Sequence, residues 1–321
     1  IMVDAATSYY DNHKKELPTT PGESKNIKVS TLVAGEYMKS IQDYLKDENA
    51  SCNGSVNVTN SNGDYRYVAM LNCGKDYSYQ TLINYIQENE SIVTSGDGLY
   101  SVDGQLVFKG EKIKNYAKFS GHDYRIIKIA DNKTYMILND EEDIENMVWD
   151  DRYNKQEDDD IGINNYQVSR IKENLDSIYE GNNLISKENK LLLTNFNIGI
   201  GKVGESEKPN KDLINANVIN DQYMGLLDLN DYVNASLDEN CDKAISKNCA
   251  NYNYLTEFFY NFWSVTTDKN STFNVYQIDG VRGAELSEAS NDGYVRPVIA
   301  ITSDAMYVDG NGSKKEPYTF K

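Results

Sequence analysis

The side chains of this 321-residue chain whose types and spacing could do chemistry are four cysteines, two histidines, scattered acidic clusters and one arginine set in an apolar run. Cys52 and Cys73 bracket two alternating runs, Ser55 to Thr59 and Tyr65 to Leu71, around an Asn62-Gly63 turn. That pattern signals a hairpin, whose ends lie opposite one another. A disulfide forms there if the alpha carbons come within about 7 Å. Cys241 and Cys249 flank a short polar loop. Four cysteines allow three pairings, and four buried free thiols are the alternative; the reading adopted is Cys52 with Cys73 and Cys241 with Cys249, in an oxidising compartment. No two cysteines are two to four residues apart, and His13 and His122 lie far from them in sequence, so no zinc site is expected.

Neither His13 nor His122 sits in a nucleophile motif, so no catalytic residue is assigned. Asp97-Gly98, Asp103-Gly104 and Asp309-Gly310-Asn311-Gly312 are turn chemistry, since none completes a twelve-residue calcium loop with its terminal Glu. The acidic runs Asp140 to Asp143 and Glu157 to Asp160 read as solvated charge, with a calcium site formed where two such runs meet as the alternative. No cofactor is expected. Arg296, beside Pro297 at the start of an apolar stretch, reads as a structural residue pointing inward against a carboxylate, and as an anion holder in the competing reading. Trp149 and Trp263 are core anchors first and sugar-stacking platforms second. Tyr252, Tyr254, Phe258, Phe259, Tyr260 and Phe262 form the densest aromatic cluster, mostly core, with tyrosines available to an exposed groove.

The elements that must position these residues follow from composition and pattern. Acidic residues outnumber basic ones 50 to 32, a net charge of -18 that argues against nucleic-acid binding. The apolar fraction is about 38% when Gly is counted in place of Tyr, a thin core against the roughly 45–50% of ordinary domains. Tyr outnumbers Phe 25 to 8, so aromatic surface mostly carries a hydroxyl. No apolar run approaches the roughly 18 residues that span a bilayer. A chain of this length is expected to form two domains, 1–95 and 96–321.

In the first domain, residues 1–16 read as a helix stopped at Leu17-Pro18 and followed by a breaker through Pro21-Gly22. A second helix is capped by Ser30, the cysteine-ended hairpin follows, and residues 78–92 are helix or buried strand. In the second, Leu99 to Val102 and Leu106 to Phe108 flank an Asp-Gly turn, and Tyr124 to Ile129 and Thr134 to Leu138 flank Asp131-Asn132-Lys133. Val168 to Leu175 begins a helix ending near Gly181. Leu191 to Leu193 and Met224 to Leu227 read as short buried strands, joined later by Phe262 to Thr267 and Asn274 to Ile278. Tyr294 to Ile301 reads as one central strand buried on both faces, with Pro297 near its beginning.

The opening residues Ala5-Ala6-Thr7-Ser8-Tyr9-Tyr10 resemble the soluble end of the long N-terminal helix of a type IV pilin. The text from Val29 to Val33 and from Cys52-Asn53-Gly54 through Leu71-Asn72-Cys73 resembles pilin-like surface proteins of low-GC Gram-positive bacteria, in which a cysteine-ended hairpin packs against the helix. The second half resembles a C-terminal domain of such proteins: Gly121 to Ile129, Gly225 to Tyr232, Cys241 and Cys249 ahead of Asn253-Tyr254-Leu255, Phe262 to Thr267, Val295-Arg296-Pro297-Val298-Ile299, Gly310 to Ser313 and Pro317-Tyr318. A Trp-bearing strand followed by an Arg-Pro strand looks like the C-type-lectin-like, sulfatase-modifying-factor-like fold. The chain departs from the pattern at Gly121 to Tyr124 and throughout 201–220.

The resemblance implies an α+β protein: a pilin-like helix with a small antiparallel sheet, then a C-type-lectin-like domain. It implies a non-enzymatic extracellular subunit of a type IV pilus-like filament, whose partners are other pilin-like subunits and whose only membrane contact is a hydrophobic helix removed upstream. An adhesin for a glycan or host protein is the second expectation. An enzyme of the oxidising or sulfatase-modifying kind is the third, and would need a reactive cysteine.

Overall fold

The computed structural model describes residues 1–20, 23–45, 51–61, 63–73, 78–140, 145–257 and 260–321 and shows a mixed α+β protein built mainly of antiparallel sheets with few helices. Pro21, Gly22, Asn62, Phe258, Phe259 and residues 141–143 of the acidic run lie outside the described residues. Two compact units emerge. One comprises Ile1–Glu88, Ser303–Val308 and Phe320–Lys321; the other comprises Asn89–Thr302 and Asp309–Thr319. The division thus falls after Glu88, where 95 had been expected, and late residues rejoin the first unit. The backbone explains their return: Leu82 N–H donates to Ala305 O (2.8 Å) and Tyr307 N–H to Gln80 O (2.9 Å), while the Tyr85 and Tyr307 rings stack at 3.5 Å.

The first unit holds α1 (Met2–Asn12), β1 (Ser24–Lys28), α2 (Val29–Ala34), β2 (Asn53–Ser61), β3 (Asp64–Asn72), β4 (Ser78–Tyr79) and α3 (Leu82–Asn89). The strands form an antiparallel sheet in chain order. β2 and β3 pair in unbroken register from Asn53 opposite Asn72 to Ser61 opposite Asp64, turning at Gly63, whose φ of 101° suits glycine. Ala5, Ala6 and Tyr10 of α1 are buried with Val56 and Val58 of β2, Ile27 of β1 and Leu32 of α2. The two alanines let the helix approach closely. Each large aliphatic removed from water there contributes about 1.5–3 kcal/mol. Ser30 lies inside the six-residue α2 and does not cap it; the cap position is Lys28.

The second unit continues with β5 (Gly98–Val102), β6 (Gln105–Lys109), β7 (Tyr116–Phe119), β8 (His122–Ala130), β9 (Lys133–Leu138), β10 (Glu145–Val148), α4 (Arg170–Gly181), β11 (Phe196–Gly199), α5 (Lys211–Ile214), β12 (Val218–Gln222), α6 (Leu229–Ala235), β13 (Phe262–Thr267), β14 (Asn274–Asp279), β15 (Gly283–Glu288), β16 (Asp292–Val295) and β17 (Val298–Ile301). One sheet runs β17-β9-β8-β6-β5, with β7 also on β8; a second runs β10-β16-β13-β14-β15; β11 and β12 pair alone. Asp103 and Gly104 (φ 48° and 76°) and Asp131 and Asn132 (φ 50° and 56°) turn two of the hairpins, the left-handed pair that matches strand twist. Ser169 caps α4 by accepting from Lys172 N–H, and Asn182 ends it at φ 60°.

Three expectations are corrected. Leu191 to Leu193 is no buried strand: a 3-10 turn covers Asn189–Leu192, and Leu191 is 84% exposed. Met224 to Leu227 is buried but is no strand: Gly225 is bonded both ways to Val298 at 2.8 and 2.9 Å, and Leu227 O accepts from Val265 N–H (2.9 Å). Most consequentially, Tyr294 to Ile301 is two strands. Tyr294 and Val295 end β16 in one sheet, Val298 to Ile301 form β17 in the other, and Arg296-Pro297 is the joint between them. β17 terminates its sheet instead of lying at its centre. It is nonetheless fully buried, because extended residues around Leu193 and Gly225 cover its free edge. Proline costs no ladder bond at such a joint, and its carbonyl still accepts from Leu138 N–H (2.9 Å).

Candidate functional site

Disulfides join Cys52 to Cys73 and Cys241 to Cys249. The first closes the ends of the β2–β3 hairpin and forms part of a small core with Val29, Ile41 and Leu71. The second clips the loop after α6, where buried Asn253 donates to Cys249 O (2.8 Å) and Tyr232 O (3.0 Å).

Trp149 and Trp263 are completely buried and hold β10 and β13 reciprocally: the Trp149 indole donates to Ser264 O (3.2 Å), the Trp263 indole to Met147 O (2.9 Å). Gly293 leaves room for the second ring, since a Cβ there would stand 2.7 Å from Trp263 Nε1. Trp263→Phe should therefore lower stability by about 2 kcal/mol, through an orphaned carbonyl and lost volume. Chemical denaturation measures it, and an unchanged midpoint would refute the anchoring role.

Arg296 is buried, and the anchors described for its guanidinium are neutral oxygens: Leu138 O (2.9 Å), Leu255 O (3.0 Å) and Asn139 Oδ1 (2.9 Å), with the Phe262 ring 4.8 Å away. These described bonds gather chain-end acceptors at the joint between two sheets. Glu257 lends its charge through space while bonding to Arg125, 2.5 Å away. Arg125 is itself buried, sandwiched by Tyr116 and Tyr254 and bonded to Asn115. Burial, and then the like charge of Arg125, pull the Arg296 guanidinium below its ordinary basicity. This cluster is a brace.

Of the aromatic cluster, Tyr254 and Phe262 are core, whereas Tyr252 and Tyr260 are exposed. His13 stacks on Tyr9 (4.1 Å) and bonds to its carbonyl; His122 lies 3.9 Å from Asp140. Glu157 to Asp160 are exposed, and among the described residues no group of three or more potential ligands is placed to hold a metal ion.

One further arrangement of polar side chains was not singled out in the sequence. A cavity of about 380 Å³ opens in the second unit, walled by Lys128, Lys133 and Tyr135 of β8–β9, by Asn197 of β11, by Lys211 and Asn215 at α5 and by Asp228 and Asn230 at the start of α6. A bulge in β8 between Ile126 and Lys128 breaks the alternation of the strand, the device that re-aims a side chain. Lys128 Nζ donates to both oxygens of Asp231, at 2.6 and 2.7 Å. Asp228 caps α6 by accepting from Asp231 N–H (2.8 Å). The α5 wall stands close because Gly199 and Gly201 lack side chains: a Cβ would lie 2.5 Å from Ile214 and 1.8 Å from Leu213 O.

Two carboxylates share one ammonium here. Burial opposes the Lys128 charge, but Asp231 and then Asp228 outweigh it and hold it above its usual value. Burial first, and Asp231 second, push Asp228 up to about 6. An unfolded aspartate titrates near 3.9, so the folded chain binds this proton more tightly. The stability it contributes is complete below about pH 4 and lost as pH rises through about 6. Asparagine caps a helix as well as aspartate does. Asp228→Asn should therefore gain about 2 kcal/mol at neutral pH and nothing near pH 4. Melting curves across that range decide it; an equal effect at both ends would contradict the assignment.

Comparison with family models, with curated proteins and with solved structures finds no match to this chain.

Proposed function

We propose that the chain is a non-enzymatic, extracellular pilin-like subunit of a type IV pilus-like filament, displaying its second unit as a C-type-lectin-like surface domain. The observation that carries the reading is the first unit: an amphipathic helix laid on an antiparallel sheet whose central hairpin is closed by Cys52–Cys73. The two disulfides favour an oxidising compartment. For the second unit, support comes from the Trp263 strand and the Arg296-Pro297 joint that ties its two main sheets. The non-enzymatic reading draws on the use of all four cysteines in disulfides. Partners are further copies or related subunits. The test is fractionation of native cells: mechanical shearing should release the protein with surface filaments, disulfides intact, whereas recovery from the cytosol with reduced thiols would sink the proposal.

A second reading, a binding module for a glycan or host protein, is favoured by the polar cavity beside Lys128.

A further inference from the structure

We propose that the cavity between β8–β9, α5 and the start of α6 binds a neutral polyhydroxylated ligand, a sugar ring at the end of a glycan. This rests on the binding-module reading and names its site and ligand chemistry.

The argument is one of charge and hydrogen-bond inventory. Asp231 neutralises Lys128 inside the wall. Lys133 is engaged with Asn195 O at 2.7 Å. What remains facing the cavity is balanced: the ammonium groups of Lys133 and Lys211 against the carboxylates of Asp131 and Asp228. A phosphate or carboxylate ligand would gain from the lysines and lose to the aspartates, and a polyamine the reverse. A hydroxyl, by contrast, both donates and accepts, so it is matched by a wall that mixes ammonium, carboxylate and carboxamide groups. Lys211 and Asn215 supply such groups from one side, and Asp228 and Asn230 from the other. The volume falls at the lower end of ligand-sized cavities, roughly 300–1,000 Å³.

Lys211, Ile214 and Asn215 supply the α5 wall. Gly199 and Gly201 bring that wall to the strands, and the bulge at Lys128 prepares the opposite one.

The test is calorimetric titration of the intact chain with maltotriose, cellotriose, mannotriose and chitotriose, beside free glucose, inorganic phosphate, glucuronate and spermidine. At least one neutral trisaccharide should bind, more tightly than any charged probe. Binding by the trisaccharide above glucose points to a glycan end; equal binding by glucose points to a free sugar. The double variant Lys211→Ala/Asn215→Ala should weaken it at least roughly tenfold with an unchanged melting temperature. Hydrogen exchange should slow at 128–135 and 211–218 on binding, and it reports the site even if that variant folds poorly. The proposal is overturned if no neutral saccharide binds at about 10 mM, if phosphate or spermidine binds more tightly, or if protection appears elsewhere. Filament localisation is untouched by any of these outcomes, so the failure of this proposal and of the subunit reading are separable.

Discussion

Arg296→Ala is expected to lower the melting temperature of the second unit by roughly 10 °C. The guanidinium sits where the chain leaves one sheet and enters the other, and it gathers Leu138 O, Leu255 O and Asn139 Oδ1. Alanine leaves these acceptors buried with no arginine, at about 1–3 kcal/mol for each orphaned group. The full sum is not reached, because removing one of two neighbouring buried cations relieves their repulsion. A net loss of about 3–5 kcal/mol results, which at about 2–4 °C per kcal/mol for a unit of this size gives the stated shift. Arg296→Lys should recover only a minor part, since one ammonium cannot reach three divergent acceptors. Scanning calorimetry settles the matter; a wild-type transition for the alanine variant, accompanied by lost affinity for an acidic ligand, would mean that Arg296 serves binding.

Cys52→Ala/Cys73→Ala is the second large effect. The bridge spans 21 positions, and closing such a loop removes unfolded-state entropy worth about 3 kcal/mol in the chain model. The first unit is small, so each kcal/mol is worth about 4–8 °C, and its transition should fall by about 15 °C. Cys241→Ala/Cys249→Ala opens a shorter loop in a larger unit and should cost fewer degrees. Equal shifts, or free thiols in the unreduced wild type, would contradict this.

What could be read from the sequence was local. Paired left-handed residues at Asp103-Gly104 and Asp131-Asn132 announce their hairpins, the pattern from Val168 to Leu175 announces α4, and the cysteines fall at the ends of one hairpin. What could not be read depends on partners far along the chain. Tyr294 to Ile301 reads as one continuous strand, and the change of sheets at Arg296 is set by what Val295 and Val298 each pair with. The burial of β17 at a sheet end depends on cover from residues near 193 and 225. The cavity was hidden for the same reason. Lys128 lies 103 positions from Asp231, and the one local clue was a lysine interrupting Ile126-Ile127-Lys128-Ile129.

The central claim, an extracellular filament subunit, is tested most directly by immunogold electron microscopy of unpermeabilised native cells, using antibodies raised against the second unit. Gold along filaments outside the cell, absent when the gene is deleted, is the predicted result. Label confined to the interior of sectioned cells, with bare filaments or none at the surface, would contradict it.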